Sequence, residues 1–410
     1  MANITYPFEA VSQEDWVLKI QKELREHADR MRFEDPIEDL NLLITEIPTQ
    51  PVEFQQIARE LTIDTIHSEF VHDEAESNRR ILLALMSGAN ALFIQSKKEN
   101  TNWKRILEQV ELSYIQVEIQ VRNEAEWIQL RTQLSESEIN QIHVLVDPQL
   151  GLQLEGTRPF FDGFSIQQIG GNSISELTAI LLQYHRHLST GGSSEVTFSI
   201  GIGANYFVQI AKVRALHYLI QKLDNIHQKA SAYRLIAELG WTNKSLKDPY
   251  TNLLRLTTEA MSAYAGGVHG IAIHPWDEFS VEGKEDFSLR MSLNISNLLL
   301  EEAHFDWVHD PMKGSHMVEA LSIQFIEKTW SRVQSCSQLT KEEADEQIMA
   351  SVLQSRNKQL EAFKNGTRSF IGINAYLNSD KSKVKNWSTL PTYMGMNFMN
   401  FELNGSDERN

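Results

Sequence analysis

The stretch EVTFSIGIGANYFVQIAKVRALHYLIQKL, residues 195–223, decides the fold. Its opening, EVTFSIGI, is a short apolar, β-branched run, the pattern of a strand buried on both faces. A glycine-rich break follows. Then Phe207, Ile210, Val213 and Ile220 fall near one face of a helix. Strand, tight turn and helix in that order make the repeating piece of a parallel α/β fold.

The same alternation extends in both directions. Further strand-like runs are TIHSEF (65–70), ALFIQ (91–95), YIQVEIQV (114–121), IHVLVD (142–147), FSIQQIG (164–170), AYRLIAEL (232–239) and VHGIAIHP (268–275). Most are separated by segments of helical period; Ser173 or Ser175 is placed to cap one, with Leu177, Ile180 and Leu181 as its inward stripe. After IHVLVD the segment PQLGLQLEGTRPF is too broken for a full helix. Eight strands joined by crossovers predict an α/β fold, a (β/α)8 barrel, with the strands and their helices over 60–303.

The flanks are less regular. Residues 13–27 predict an amphipathic helix, and MRFEDPIEDLNLLITEIP after it reads as an arm or extended loop. Residues 316–335 and 341–364 predict two more helices, a C-terminal helical extension, and the last stretch is polar and turn-rich. The expected division is a helix and arm at 1–59, the barrel domain at 60–377 and a tail at 378–410.

Composition narrows the function. With 410 residues and 41% hydrophobic content the chain can bury a large core. A net charge of −17, from 55 acidic against 38 basic residues, disfavours nucleic acid and anionic membranes, which need clustered Lys and Arg. Cys336 is the sole cysteine, so no internal disulfide or cysteine-based zinc motif forms. No apolar run approaches the roughly 18 residues of a membrane helix, and the N-terminus lacks the basic-then-apolar pattern of a signal. A soluble, unprocessed cytoplasmic protein is expected.

In a barrel enzyme the chemistry gathers at the carboxyl ends of the strands, which here offer Gln95, Asp147, Gln168, Glu238 and His274. GIGANYF (201–207) follows a strand and opens a helix like a phosphate loop, but lacks the third glycine of G-x-G-x-x-G, so a tight turn is the better reading. His304, His309 and His316 are spaced so that no pair shares a helical face, which argues against a metal site. Ser315 follows glycine in MKGSHMV without a G-x-S-x-G elbow.

Four longer strings carry a resemblance: GIGANYFVQIAKVRA (201–215), GWTNKSLKDPYTNLLRLTTEAMSAYAGG (240–267), NLLLEEAHFDWVHDPMKGSHMVEALSIQFIEKTW (297–330) and FIGINAY (370–376). In order and spacing they resemble the substrate barrel of the methylmalonyl-CoA mutase family, over roughly residues 75–377. PFEAVSQEDWVLKIQKEL resembles the start of the family's smaller chains. The resemblance implies a (β/α)8 barrel and the adenosylcobalamin-dependent exchange of methylmalonyl-CoA and succinyl-CoA. Departures from the family pattern are specific. The family's cobalt-ligating D-x-H-x-x-G string does not occur. Its substrate histidine, in H-x-Q-T-S-G-W, matches Leu235 of LIAELGW, expected to fill the barrel interior. The tyrosine of its T-x-Y segment has no counterpart in 30–75. Catalytic members read GGTQSLHTN where this chain has AGGVHGIAIHPWDE, which sets Val268 against the threonine, His269 against the glutamine, Ala272 against the histidine and His274 against the asparagine. His269 and His274 therefore inherit no role, while Gly266 and Gly267 keep a backbone role in ending a helix.

The resemblance implies a small subunit without catalytic, cofactor or metal residues of its own, Glu238 and His274 being the barrel-mouth candidates. Its partner would be a catalytic large subunit that holds the adenosylcobalamin, contacted through residues 1–45. The alternative is an active substrate barrel whose cobalamin domain is a separate chain.

Overall fold

The computed structural model describes residues 12–25, 32–43, 63–96, 98, 100–152, 154–193, 195–377 and 385–405. Helix α1 (Gln13–Leu24) starts at a capping box made by Ser12 and Asp15. Strands β1 (Arg32–Asp35) and β2 (Leu40–Leu43) form an antiparallel hairpin where an arm was expected. Leu40 and Leu42 are buried, so the hairpin lies on this chain's own barrel.

The barrel alternates β3 (Asp64–Val71), α2 (Glu74–Met86), β4 (Ala91–Ser96), α3 (Trp103–Ile106), β5 (Gln116–Val121), α4 (Glu124–Gln133), α5 (Glu136–Ile139), β6 (Ile142–Val146) and β7 (Thr157–Asp162). It continues through α6 (Gly163–Gln168), α7 (Ser173–Ser189), β8 (Glu195–Gly201), α8 (Tyr206–His227), β9 (Ala232–Leu239), α9 (Thr251–Gly266) and β10 (Gly270–Ile273). These eight strands, β3 to β10, pair in parallel and in order, and β10 pairs with β3 to close the ring. Then come α10 (Asp286–Glu301), α11 (His316–Ser337) and α12 (Lys341–Lys364). A two-stranded ribbon, β11 (Thr392–Tyr393) and β12 (Met396–Asn397), and the short α13 (Phe401–Gly405) end the described chain.

One strand was misplaced in the sequence. FSIQQIG is helix α6, and the strand is the preceding TRPFFD, β7. An apolar run this short has no period that separates helix from strand. Asp162 decides locally: its side chain accepts the backbone N–H of Ser165 at 2.9 Å, a helix cap that turns the chain after Phe161. Two finer expectations also fail. Asn172 caps α7 by accepting from the backbone of Ser175, in place of Ser173 or Ser175. Phe207 is 43% exposed at the start of α8, whereas Ile210, Val213 and Ile220 are buried.

Alternate residues of each strand face opposite sides. Ile66, Ala91, Phe93, Leu145, Phe160, Ile236 and Ala272 pack together inside the ring and fill its bore. Leu235 points the other way. It joins Phe198, its neighbour on β8, in the cluster between sheet and helices, so the expected interior position belongs to Ile236. Gly267, at φ +100°, ends α9 in the left-handed conformation, as expected for that glycine pair. Among the described residues no helix is long and apolar enough to cross a membrane.

Candidate functional site

The carboxyl ends of the strands form one mouth, where the sequence candidates meet different fates. Glu238, near the end of β9, and His274, just past β10, come together: Nε2 of His274 lies 2.9 Å from a carboxylate oxygen of Glu238. The other oxygen of Glu238 accepts from the Ser199 hydroxyl of β8 at 2.5 Å. All three side chains are buried. Ser199 was missed in the sequence, because a serine inside an apolar strand gives no signal until the neighbouring strand supplies the carboxylate. Nδ1 of His274 has no hydrogen-bond partner among the described residues. Its ring stacks on Phe164 at 5.2 Å and Phe70 at 5.7 Å and touches Trp241 at 4.6 Å.

The remaining candidates do not join this pair. Gln168 lies on α6, where its side-chain oxygen accepts from the backbone N–H of Trp241 at 3.0 Å. Asp147 follows β6 and accepts from the backbone of Gln149 at 2.8 Å; burial pushes its carboxyl upward. Gln95 is partly buried on β4. Asp162, also missed, is pushed up to about 7 by burial, opposed by its bonds from Ser165 and reinforced by the charges of Glu238 and Asp147. Near neutral pH it is therefore divided between its protonated and charged forms.

The mouth is closed by the chain itself. Residues 385–405, expected as a polar tail, run across it and bury Leu390, Phe398, Met399, Asn400 and Phe401. Phe398 packs edge-on against Phe164 and stacks on Trp241. Backbone bonds pin the crossing: Met399 donates to Gln168, Phe401 to Thr242 and Ser388 to Phe279. Asn400 donates to the carbonyls of Trp241 and Lys244, and Glu402 accepts from Ser245, Leu246 and Trp387. Trp241, Phe70, Phe164, Phe279 and Phe398 thus form one apolar cluster over the Glu238–His274 pair.

Other histidines named from the sequence stand apart from this pair. Nδ1 of His269 accepts from the backbone of Leu235 at 3.0 Å. His304 stacks on Trp307 at 4.0 Å, and His316 opens α11 with Ser315 at its cap. Among the described residues no three His, Cys, Asp or Glu are arranged to hold a metal ion. Cys336 is buried. Just after β10, Glu278 pairs with Arg80 at 2.8 Å and Asp277 accepts from the backbone of Glu285 at 3.0 Å.

Fold and mouth together define a (β/α)8 barrel with its polar groups gathered at the strand ends beneath a covering segment. The family model described as methylmalonyl-CoA mutase matches residues 183–393, about half of the sequence. The chain belongs to the methylmalonyl-CoA mutase family. It is 33% identical over 194 residues to the methylmalonyl-CoA mutase small subunit of Porphyromonas gingivalis, covering 45% of this chain and 31% of that protein. To the methylmalonyl-CoA mutase of Cereibacter sphaeroides it is 29% identical over 230 residues, 52% of this chain and 32% of that one. To the probable methylmalonyl-CoA mutase small subunit of Mycobacterium tuberculosis (strain H37Rv) it is 29% identical over 189 residues, 42% and 31%. The matched part spans about a third of the length of these curated relatives. Among solved structures, dihydropteroate synthase from Thermus thermophilus is 15% identical, covering 58% of this chain and 95% of that one at a TM-score of 0.34, a likeness with no bearing on function.

Proposed function

We propose that this chain is the small, non-catalytic subunit of a heterodimeric, adenosylcobalamin-dependent methylmalonyl-CoA mutase of the cytoplasm, a barrel retained to stabilise a catalytic large subunit. The carrying observation is the closed mouth. A barrel enzyme keeps the carboxyl ends of its strands open for its chemistry, and here Phe398, Met399 and Asn400 occupy that end with their side chains buried. These residues do not fit a corrin ring. His274, the histidine at hand, has one nitrogen on Glu238 and its ring against Phe164 and Phe70, so it cannot be presented to cobalt without dismantling the cluster. Ala272, matched with a family histidine, is a bore-filling methyl group and donates no hydrogen bond.

The names of two of the relatives, each a small subunit, support a partner chain. The contact, first expected from residues 1–45, falls on α1: residues 32–43 are spent on this chain's own barrel, whereas Trp16 and Leu18 on α1 are 45% and 64% exposed. Residues 60–377 act as the mutase-like domain, with 1–59 and 378–410 as its extensions.

The test mixes the purified chain with adenosylcobalamin, methylmalonyl-CoA and an isolated cobalamin-binding domain. No succinyl-CoA above a control lacking the chain is the expected result, together with copurification with a large subunit that is lost on deleting residues 1–25. Turnover in the mixture would overturn the reading in favour of an active barrel served by a separate cobalamin chain, and Glu238→Gln and His274→Ala would then be the first variants to assay.

A further inference from the structure

Helices α3 and α4, outside β4 and β5, frame a pocket that the mouth does not use. It opens between α4 and the segment joining β4 to α3, with a volume of about 340 Å³. Its lining residues are all polar, and none is acidic, apolar or aromatic, although the chain as a whole carries a net charge of −17. The pocket lies outside residues 183–393, over which the family model matches.

Its frame is held by the protein's own bonds. The side-chain oxygen of Gln133 accepts from the backbone N–H of Trp103 at 2.7 Å, and its NH2 group donates to the carbonyl of Thr101 at 2.9 Å. The Thr101 hydroxyl lies 2.5 Å from that of Ser96, and Oδ1 of Asn102 accepts from the backbone of Arg105 at 3.1 Å. The groups left over are mostly donors. The side chain of Asn100, the NH2 group of Asn102 and the ammonium of Lys104 make no hydrogen bond or ion pair among the described residues, and all three residues are exposed. Gln129 is half-buried with its oxygen at the buried end, so its NH2 group is the end that solvent reaches. Thr132 donates its hydroxyl to the carbonyl of Gln129 at 3.0 Å and keeps its lone pairs as acceptors. Two carboxylates near the pocket are engaged elsewhere: Glu74 pairs with Lys98 at 2.7 Å, and Glu138 accepts from the backbone and hydroxyl of Ser135 at 2.7 and 2.6 Å.

Three amides and one ammonium on the walls of an open pocket suit a ligand rich in oxygen acceptors and bearing negative charge. With no apolar or aromatic wall, the pocket offers nothing to an acyl chain or a nucleobase. Its volume is far larger than one oxyanion, and hydroxyl groups, which both donate and accept, match the rest of the lining. We propose that this pocket binds a small polyol carrying one anionic group, a sugar phosphate or a sugar acid. Lys104 meets the anion, the NH2 groups of Asn102 and Gln129 donate to its oxygens, and Asn100 and Thr132 meet the hydroxyls. Because Gln133 and Asn102 fix the walls in advance, little ordering is required when the ligand arrives. The site is separate from the barrel bore and independent of the subunit's catalytic status.

Isothermal titration of the full chain at pH 7 with glucose 6-phosphate, gluconate, glucose and inorganic phosphate tests this. Millimolar or tighter binding of glucose 6-phosphate or gluconate is expected, the tighter of the two telling a phosphate from a carboxylate. Glucose, which lacks the charge, and inorganic phosphate, which lacks the polyol, should each bind more weakly by about tenfold. Lys104→Ala removes the cation at an exposed position and should weaken the anionic sugar by at least about tenfold. Asn100→Asp, at a side chain with no bond to lose, sets a like charge against the anion and carries the same expectation. Arg131→Ala, on α4 but outside the lining, should leave binding unchanged. The assignment is overturned if neither anionic sugar binds, if inorganic phosphate binds as tightly as glucose 6-phosphate, or if Lys104→Ala and Asn100→Asp, folded by circular dichroism, bind as the parent chain does.

Discussion

The two halves of the barrel are built differently although their strands are equivalent. From β3 to β7 the connections are slight: α3 and α5 have four residues each, and β6 reaches β7 through only a 3-10 turn at Pro148–Leu150. From α7 onward the jacket consists of helices of 16 to 22 residues. Charge follows the same division in number. Lys212–Glu176, Lys244–Glu259 and Arg214–Glu319 are buried ion pairs of the second half. In the first half Arg105–Glu108 and Arg79–Glu76 lie in solvent, and its buried pair, Arg80–Glu69 at 3.1 Å, is tied across the barrel closure to Glu278 of the second half. The family match begins inside α7 at residue 183 and takes in Lys244–Glu259 and Arg214–Glu319, while of the third pair it includes Lys212 and leaves Glu176 outside. The family match thus lies over the half with the long helices, and two buried pairs, in which exchange of one partner strands the other, fall wholly inside it.

The sharpest way to break that comparison is to cut one pair in each half. Lys212→Met leaves the Glu176 carboxylate, already pushed upward by burial, without its cation, and should cost about 3–5 kcal/mol in urea unfolding. Arg122→Ala removes a partly exposed partner of Glu126 on α4 and should cost less than about 1 kcal/mol. Equal losses would refute the division.

A smaller effect probes the tail, which is seated largely on second-half residues. Phe398→Ala should cost about 3 kcal/mol, the usual range for a buried aromatic. Hydrogen exchange should rise at the backbone N–H groups of Met399 and Phe401, which bond to Gln168 and Thr242, while those of β4 and β5 keep their protection. Uniform loss of protection would mean that tail and barrel unfold as one unit.

The smallest effect lies where the N-terminal hairpin rests on the second half. Burial, and then the charge of Asp35, push Glu38 from 4.5 up to about 7, against a backbone bond from Ser173. A carboxyl raised in this way contributes stability that is complete below pH 4.5 and lost as pH rises through about 7. Glu38→Gln should therefore raise stability at pH 8 by about 1 kcal/mol, leave pH 5 almost unchanged and flatten the profile between them. A variant that loses stability equally at both values would show that the Ser173 bond outweighs the burial.

Much of the barrel was legible because β-branched runs alternate with helical periods, and both patterns are local. What failed was non-local, with one exception. FSIQQIG is a helix because Asp162 turns the chain, and a buried apolar run does not announce its period. Leu235, expected inside the barrel, faces the helices, because which side of a strand looks inward depends on pairing with β8 and β10. Glu238 and His274 could be named as strand-end residues; that they touch, and that Ser199 completes the chain of bonds, needed the closed ring. The covering role of residues 385–405 left no mark in a segment whose composition reads as turn and tail.

That cover is also the last part of the described fold to leave the ribosome. Everything it seals, from Phe70 to Phe279, is translated more than a hundred residues earlier, so during synthesis the aromatic mouth stands open to water. A product cut short of Lys385 keeps that surface exposed for good. A contiguous apolar patch of this kind is what chaperones bind and what drives aggregation. A chain with the covering segment is thus set apart from one without it by whether its barrel shows a greasy end.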